Sequence, residues 1–392
     1  MGEAAVVLKR EKDSASEAHR LRIAMLGHKH VHGREGGVEI VVTELAARMA
    51  ALGHEVTCYD RSGPRAFKAE PRANGERGSF HVKRVWTLNL RGIAAVTSSF
   101  SAALRATLSD ADVVHIHAEG SAAMSWLPRL RGKRVIVTVH GLDWARAKWG
   151  RFASGYLRWC EGQAVKHADA IIVLSRETRD YFKARYNRDC AFIPNGVERP
   201  ERVAVNAVNG LWGLEARGYV LFVGRVVPEK GIHYLIEAWK GVRTDKKLVI
   251  TDGCSDTEAY MRRLKAMAGE SVVFTGFQQG RILAELYSNA YVFTLPSDLE
   301  GMPLSLLEAM SYGNCCLVSD IPECADVVED RGVTFPKADV ARLRAALQNL
   351  IDHPEIVERY RQGVADFVCG RHDWDDVVAQ TLALYRGQPA RR

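Results

Sequence analysis

The hydrophobic pattern of this chain alternates between two periods. Short apolar runs end in glycine or in a polar loop, and each is followed by a stretch with the three- to four-residue spacing of an amphipathic helix. The first unit contains a strand that ends at Gly27, a loop rich in glycine and histidine, a helix over 38–52 and a strand over 55–59. This order predicts a βαβ unit with parallel strands.

The alternation continues in two series, which a less regular segment separates. Further strands of the first series are predicted at 113–117, 135–139 and 170–174. The second series is predicted to contain strands at 219–223, 248–251, 272–275, 291–295 and 315–319, with helices over 232–239, 258–268, 281–288 and 305–311. The irregular segment at about 200–217 is predicted to be a linker, and the chain is predicted to end in long helices at about 339–352 and 354–386.

Two doubly wound α/β domains in tandem account for this pattern, and 392 residues suit two domains at roughly 100–200 residues each. We expect a disordered tail over 1–19, an N-terminal domain over 20–205 and a C-terminal domain over 206–369, with a helix at about 370–388 that packs back on the N-terminal domain. Ligands bind such sheets at the carboxyl ends of the strands, so the loops that follow strands should carry function.

Composition narrows the class of protein. The chain is 47% hydrophobic and 26% charged, which is typical of a globular protein and excludes overall disorder. No apolar run approaches the ~18–20 residues that a membrane-spanning helix needs, and the N-terminal segment lacks the apolar core of a signal peptide. The eight cysteines contain no Cys-x-x-Cys pair and are expected to be buried thiols. We therefore expect a cytoplasmic protein, with access to the inner face of the cell membrane.

Charge is distributed unevenly along the chain. Residues 1–200 hold 32 Lys and Arg against 21 Asp and Glu, a net +11, and the remaining residues hold 22 against 26, a net −4. A basic half predicts an anionic partner. We do not predict nucleic acid as that partner, because the positive charges are dispersed and no nucleic-acid-binding motif is present.

An aromatic stripe in the basic half suggests a membrane instead. Trp149, Phe152, Tyr156 and Trp159 recur at helical spacing beside basic residues. Such a face either packs into the domain or lies on an anionic membrane, where each cation adds ~1 kcal/mol. We predict reversible peripheral binding to the membrane.

Candidate chemistry lies in four segments, each after a predicted strand. In the first, Gly36 and Gly37 open a helix whose free N–H groups favour an anion such as a phosphate, although paired glycines often form only a turn. In the second, a strand ending near Gly224 delivers Arg225 and Lys230 into one loop. Arginine can bridge two phosphate oxygens and lysine adds a point charge, so this loop is either a phosphate site or an exposed basic loop.

The third segment contains Glu300 and Glu308, eight positions apart. Gly301 and Met302 can direct backbone N–H groups toward a ligand near a helix start. Glu308, about one turn into that helix and flanked by apolar residues, can accept paired hydrogen bonds from a ribose diol. In the fourth segment His140 follows an apolar strand, where a histidine is usually structural unless it faces the ligand crevice.

Together these segments resemble family 4 glycosyltransferases, the retaining, nucleotide-sugar-dependent enzymes of the GT-B fold, over residues 21–385. The Glu-x7-Glu element that begins at Glu300 is the most specific mark, with Phe-Val-Gly-Arg at 222–225 and Glu-Lys-Gly at 229–231. Further matches are Pro-Asn-Gly-Val at 194–197, Gly-Phe at 276–277, and Gly-Gly-Val-Glu at 36–39, which is similar to a bacterial polysaccharide-assembly branch that includes rhamnosyltransferases. Cys315 departs from the proline that the family commonly has.

The resemblance implies a role for each of these residues. Arg225 and Lys230 would hold the donor diphosphate and stabilise the leaving nucleotide, and Glu308 would hold the ribose. Glu300 would face the sugar hydroxyls together with the backbone of the three residues that follow it, Gly301, Met302 and Pro303.

The remaining roles concern the base, the phosphates and the transferred sugar. Main-chain groups near Phe277 and Gln278 would border the base, and Gly36 and Gly37 would approach the phosphates when the cleft closes. His140 would bind a sugar hydroxyl rather than act as a base. The family implies retention by front-face attack, no protein nucleophile, cationic side chains in place of a metal ion, and often a glycan or lipid-linked acceptor.

Two other classes of protein remain open. A nucleotide-sugar epimerase would share the fold but would need further acid–base carboxylates. A non-catalytic dinucleotide-binding Rossmann protein is the other alternative, although the first strand is not followed by Gly-x-Gly-x-x-Gly and Asp60 alone is weak evidence for ribose binding.

Overall fold

The computed structural model describes residues 20–33, 36–62, 79–88, 90, 92–145, 150–253 and 258–389, and the predicted tail at 1–19 lies outside them. These residues form two parallel β-sheets, each covered by helices. The predicted pair of doubly wound α/β domains is confirmed.

The N-terminal domain is built on a seven-stranded parallel sheet with the order β3-β2-β1-β4-β5-β6-β7. Its strands are β1 (Arg22–Leu26), β2 (Glu55–Arg61), β3 (His81–Val85), β4 (Val113–His117), β5 (Arg134–Val139), β6 (Ala170–Val173) and β7 (Ala191–Phe192). Its helices are α1 (Gly37–Ala51), α2 (Ala94–Leu108), α3 (Glu119–Ala122), α4 (Trp126–Arg129), α5 (Arg151–His167) and α6 (Arg176–Tyr186). Since the strand order reverses between β1 and β4, right-handed crossovers place α1 on one face and α2 to α6 on the other.

The C-terminal domain is built on a six-stranded parallel sheet with the order β10-β9-β8-β11-β12-β13. Its strands are β8 (Tyr219–Arg225), β9 (Lys247–Gly253), β10 (Val272–Phe274), β11 (Val292–Leu295), β12 (Cys315–Ser319) and β13 (Val333–Phe335). Its helices are α7 (Ala207–Trp212), α8 (Ile232–Trp239), α9 (Glu258–Met267), α10 (Gly280–Asn289), α11 (Leu304–Ser311), α12 (Pro322–Val328), α13 (Val340–Asp352), α14 (Pro354–Arg361) and α15 (Val364–Arg371), and α16 (Trp374–Tyr385) follows. The strand order reverses between β8 and β11, which creates a crevice at their carboxyl ends.

The predicted linker is partly wrong. Residues 207–212 form α7, which packs against α10 and buries Val208. The backbone N–H groups of Asn206 and Val208 donate to Glu285 Oε2 at 3.1 and 3.2 Å. A buried carboxylate on a neighbouring helix therefore accepts hydrogen bonds from the free backbone N–H groups at the start of α7. The local hydrophobic pattern could not predict this contact, because the carboxylate lies far away in the sequence.

The prediction of one long final helix at 354–386 is also wrong, because this segment forms the three helices α14, α15 and α16. Gly363 adopts a left-handed φ of 69° between α14 and α15. Asp373 then caps α16 by accepting a hydrogen bond from the backbone of Asp375 at 3.0 Å. The helical spacing of apolar residues continues across both breaks, so the hydrophobic pattern did not predict them.

Helix α16 lies against the N-terminal domain, where it packs on α1 and β5. The Tyr385 hydroxyl lies 2.6 Å from His115 Nδ1 on β4, and Arg48 of α1 pairs with Asp375 at 2.6 Å. Among the described residues, no helix combines the length and the apolarity that crossing a bilayer requires.

Candidate active site

The first component of the site is the loop that follows β8. Arg225 is the last residue of the strand, and Lys230 ends a 3-10 turn over Pro228–Lys230 that follows it. Gly231 has a φ of 65°, and a Cβ there would overlap the carbonyl oxygen of Pro296. Lys230 Cε lies 3.9 Å from the position that a Cβ on Gly224 would take. A close backbone contact therefore requires glycine at 231, and the lysine side chain packs at ordinary van der Waals distance beside Gly224 at the end of the strand.

The second component is the loop between β11 and α11, which presents Glu300 to this lysine. Lys230 Nζ lies 2.5 Å from Glu300 Oε1, and the two side chains are 12% and 8% exposed. Ser297 Oγ donates to the same carboxylate oxygen at 2.6 Å. The sequence predicted separate partners for the two residues, diphosphate and sugar, and the structure brings them together.

The two domains meet beside this ion pair. A Cβ on Gly301 would overlap the carbonyl oxygen of His140, and a Cβ on Gly141 would lie 3.0 Å from Gly301 Cα. The loop after β5 and the loop after β11 are therefore in backbone contact, which places His140 next to the Glu300 loop across the cleft. Only glycine allows so close an approach of two main chains.

A buried histidine lies behind His140. His117 Nδ1 is 3.1 Å from His140 Nε2, and the ring of His115 on the same strand packs against that of His117 in a tilted arrangement with centroids 4.0 Å apart. Burial lowers the pKa of His115 to about 3, with a smaller contribution from His140. Burial also lowers the pKa of His117 well below its ordinary value, and the neighbouring histidines His115, His140 and His28 lower it further. This wall of the cleft therefore keeps its buried histidines neutral.

Gly36 and Gly37 lie at the start of α1, as predicted. Gly36 is the N-cap and is extended, with φ −162°. A Cβ on Gly37 would lie 3.5 Å from Leu304 Cδ1 at the start of α11, so two helix starts from different domains face each other. Glu39 is buried in the first turn of α1, and its Oε1 accepts the Lys29 backbone N–H at 3.1 Å. The helix start thus carries a carboxylate of its own.

Met302 and Pro303 connect the site to the segment that joins the domains. The Asn195 backbone N–H contacts Met302 Sδ at 3.1 Å, and Asn195 Nδ2 donates to the Met302 carbonyl at 3.3 Å. Pro303 is the N-cap of α11. The Met302 carbonyl is therefore engaged by Asn195, and its predicted place beside the donor sugar stays a prediction.

Glu308 lies one turn into α11 and is half-buried. The hydroxyl of Tyr287, a fully buried residue of α10, donates to Glu308 Oε2 at 3.0 Å. Tyr287 also stacks on Tyr312, with ring centroids 5.3 Å apart. A rigid aromatic pair therefore positions this carboxylate.

Phe277 and Gln278 follow β10 and are half-buried at the same edge of the sheet. Gln278 Nε2 donates to the Thr275 carbonyl at 2.7 Å, so its amide closes the turn. Gly276 within this turn has a φ of 70°. The glutamine amide is therefore engaged within the turn, and the predicted place of the main-chain groups beside a base stays a prediction.

Further carboxylates lie near Glu300. Burial raises the pKa of Glu323 on α12 to about 7, and Glu177 of the N-terminal domain and Glu300 add to the rise. The described residues contain no group of three or more His, Cys, Asp or Glu side chains arranged to hold a metal ion. The predicted independence from metal stays a prediction.

Sequence reasoning missed Ser297, His117 and Asn195. One of them had a visible signal, because His115 and His117 alternate on an apolar strand and so share one face of the sheet. Asn195 belongs to the Pro-Asn-Gly-Val segment at 194–197 that carries part of the family resemblance, but no site role was predicted for it, and Ser297 gave no signal. Their importance depends on which residues they meet, Glu300 and Met302.

Two family models match the chain. Residues 35–199 match the model described as Glycosyltransferase Family 4, and residues 213–366 match the model described as Glycosyl transferases group 1. The two ranges include all the predicted site residues.

Relatives and solved structures agree with these matches. The chain is 28% identical over 410 aligned residues to the alpha-maltose-1-phosphate synthase of Mycobacterium tuberculosis, with 93% of this chain and 99% of that protein covered. It is 25% identical over 303 residues to the alpha-D-kanosaminyltransferase of Streptomyces kanamyceticus, with 70% and 76% covered. The structure of Anabaena Alr3699/HepE in complex with UDP and glucose shares the fold, with a TM-score of 0.79 at 14% identity over 94% of this chain and 100% of that one. The predicted rhamnosyltransferase branch is not confirmed by these relatives.

Proposed function

Because the chain belongs to the glycosyltransferases of the GT-B fold, we propose that its cleft transfers a sugar with retention of the anomeric configuration. The chain is an enzyme of the hexosyltransferase type that uses a nucleotide-sugar donor. The acceptor that we propose is a hydroxyl group of a glycan or a lipid-linked saccharide, in the assembly of a cell-surface polysaccharide or glycolipid. A rhamnosyl donor is the specific case suggested by the Gly-Gly-Val-Glu segment.

The observation that carries this proposal is the Lys230–Glu300 pair and its position against the His140 loop. The pair lies at the carboxyl ends of β8 and β11, where a doubly wound sheet binds its ligand. The His140 loop belongs to the other domain and touches Gly301. A donor bound at the pair would therefore present its sugar to groups from both domains.

The diphosphate would be held by Arg225 and Lys230. An ammonium group has three N–H donors, and the contact with Glu300 engages one of them, so two remain for phosphate oxygens. Glu300 and Ser297 would position the cation before the donor arrives. As the bond to the sugar breaks, negative charge grows on the diphosphate, and a preorganised cation stabilises that charge.

The rest of the donor would follow the same edge of the sheet. Glu308, oriented by Tyr287, would accept hydrogen bonds from the ribose hydroxyls. Main-chain groups at Phe277 and Gln278 would border the base, and Gly36 and Gly37 would approach the phosphates.

The transferred sugar would lie between the two loops that touch across the cleft. Glu300 and the backbone of Gly301 and Met302 would face its hydroxyls from one side, and His140 would bind a hydroxyl from the other. His117 contacts Nε2 of His140, which would orient the His140 ring for that hydrogen bond. Retention without a protein nucleophile then requires the acceptor to attack on the face that the diphosphate leaves.

We also propose reversible contact with an anionic membrane. Phe152 and Trp159 of the predicted aromatic stripe are 97% and 51% exposed on α5. Tyr156 is half-buried and donates to the Gly120 carbonyl at 3.3 Å, and Trp149 lies outside the described residues. The stripe is therefore divided between packing and exposure, and its exposed part supports the contact.

A donor screen tests the proposal. The full chain would be incubated with a panel of nucleotide sugars, with and without saccharide acceptors, while nucleotide release and the product anomer are followed by NMR. We expect slow release without acceptor, faster release with the correct acceptor, an anomer matching that of the donor, and unchanged rates in EDTA. Conversion of the donor to its epimer without acceptor would support the epimerase instead, and an inverted product would contradict retention.

A further inference from the structure

Helix α2 has an inverted distribution of side chains. Its buried face consists of small residues, Ser98, Ser99, Ala102, Ala103, Ala106 and Thr107. Its outer face carries Phe100, Leu104 and Leu108, which are 46%, 39% and 62% exposed, and Ile93 just before the helix is 45% exposed. These four positions lie within about 80° of one another around a helix of about 100° per residue. A helix on the surface of a globular protein normally has the opposite arrangement.

A neighbouring helix adds exposed apolar side chains. Helix α4 packs against α2, and Trp126 in the helix and Leu130 just after it are 37% and 74% exposed. We define the α2 patch as Ile93, Phe100, Leu104, Leu108, Trp126 and Leu130. A cluster of exposed apolar side chains on one side of a domain marks an interaction site.

One end of the α2 patch lies at the edge of the sheet that borders the cleft. The loop after β3 exposes Trp86, Leu88 and Leu90, at 62%, 41% and 54%. The Leu88 backbone N–H donates to Thr97 Oγ1 at 3.1 Å, which holds this loop against the first turn of α2. Because the carboxyl ends of parallel strands share one edge of a sheet, the loop lies on the same edge as His140 after β5.

The surroundings of the α2 patch are basic. Residues 79–133 contain seven Lys and Arg against three Asp and Glu. Lys83, Arg84 and Arg131 are exposed, whereas Asp110 is the one exposed acidic residue described in this range and Glu119 is buried. A second copy of this chain would bring two basic rims together, whereas an anionic surface would neutralise them.

We propose that the α2 patch is the surface by which the chain docks on an anionic lipid membrane. The leucines and Phe100 enter the boundary between headgroups and acyl chains, Trp126 lies at the headgroup level, and the surrounding cations meet anionic headgroups. This inference deepens the membrane contact proposed above and rests on it, and it moves the main contact from α5 to α2. A lipid-linked acceptor in that membrane reaches the cleft past the exposed side chains of Trp86 and Leu88.

Co-sedimentation of the full chain with vesicles tests the assignment. The probes are vesicles of phosphatidylglycerol with phosphatidylcholine and vesicles of phosphatidylcholine alone. The patch variant is Leu108→Ser/Leu130→Ser. The matched control is Leu52→Ser/Leu211→Ser, at two leucines outside the patch that are 64% and 57% exposed, and the α5 variant is Phe152→Ser/Trp159→Ser. Nucleotide release from the donor without vesicles, together with the thermal midpoint, reports whether each variant is folded.

We expect binding of the wild type to anionic vesicles at low salt, a loss of roughly tenfold or more in the patch variant, and little change in the control. Donor turnover in solution stays unchanged in all three variants. If the patch variant binds anionic vesicles as well as the wild type does, the inference is overturned. If only the α5 variant loses vesicle binding, the membrane contact is assigned to α5. If the wild type binds no vesicles, both membrane proposals fail while donor turnover still tests the transferase. A dimer by light scattering that the patch variant loses would assign the patch to a second copy.

Discussion

The two walls of the cleft are built from different chemistry. On the C-terminal wall, Lys230 and Glu300 form an ion pair with little exposure, and Ser297 supports it. On the N-terminal wall, His140 rests on His117, whose pKa burial holds well below its ordinary value. Where the two loops touch, the C-terminal wall therefore carries a charged pair, whereas the buried histidines behind His140 are neutral.

The difference follows from how each wall is held. Lys230 lies beside Gly224 at the end of β8, and its ammonium group pairs with Glu300 at the carboxyl edge of the sheet, where doubly wound sheets bind their ligands. The histidines of β4 lie inside a fully buried strand, where burial favours the neutral form. Since negative charge develops on the departing diphosphate, changes to the charged wall should affect turnover most, whereas the neutral wall should act through shape and hydrogen bonds.

Removal of the cation from the charged wall should have the largest effect. Lys230→Ala is expected to lower kcat by about 10²–10³-fold, because the ammonium group faces charge that grows on the leaving diphosphate. Steady-state kinetics with the identified donor checks this. Lys240→Ala is the matched control, because Lys240 forms an exposed pair with Glu237 at 2.8 Å. Near-normal turnover of Lys230→Ala would contradict the charged role of this wall.

Separation of the two walls should have the next largest effect. Gly301→Ala is expected to lower kcat by up to about 10²-fold, because the new Cβ overlaps the His140 carbonyl and moves the walls apart. Kinetics and thermal unfolding would be compared with Gly269→Ala, where nothing lies within 4 Å of the new Cβ. Equal activity of the two variants would show that the walls need not touch during turnover.

Within the charged wall, substitutions of the two glutamates should affect different kinetic constants. Glu308→Gln is expected to raise the KM for the donor about tenfold, since a ribose contact is shared by the ground state and the transition state. Glu300→Gln is expected to lower kcat more than it changes KM, because it also loosens Lys230. Initial rates over a range of donor concentrations decide this, and identical effects of both variants on both constants would remove the distinction.

The smallest effect concerns stability of the neutral wall. Burial, with Asp143 and Glu161 nearby, raises the pKa of Glu119 to about 10. Between its unfolded pKa near 4.5 and about 10, the folded chain holds a proton that the unfolded chain has lost, so stability falls as pH rises through this window. From pH 7 to 9, the thermal midpoint should fall more steeply in the wild type than in Glu119→Gln. The difference between the two slopes is expected to be about 2–4 °C per pH unit. Parallel slopes would show that Glu119 ionises normally.

Local periodicity is sufficient to predict most elements around the site. The helix at 232–239 and the strand at 315–319 have the predicted bounds, because a glycine or polar stop follows each local period. The same reasoning fails at 354–386, where the apolar spacing continues across Gly363 although the backbone turns there. The Glu-x7-Glu element could also be found from the sequence, because both glutamates belong to one continuous loop and helix.

The sequence by itself determined the alternation of strand and helix, the two-domain class and the loops in which chemistry is found. Only the tertiary structure decided that Lys230 meets Glu300, 70 positions away, and that His117 lies behind His140. It also decided that the large apolar side chains of α2 point outward. A local period states which residues share a face, but not which face another element covers, because that choice depends on contacts between distant parts of the chain.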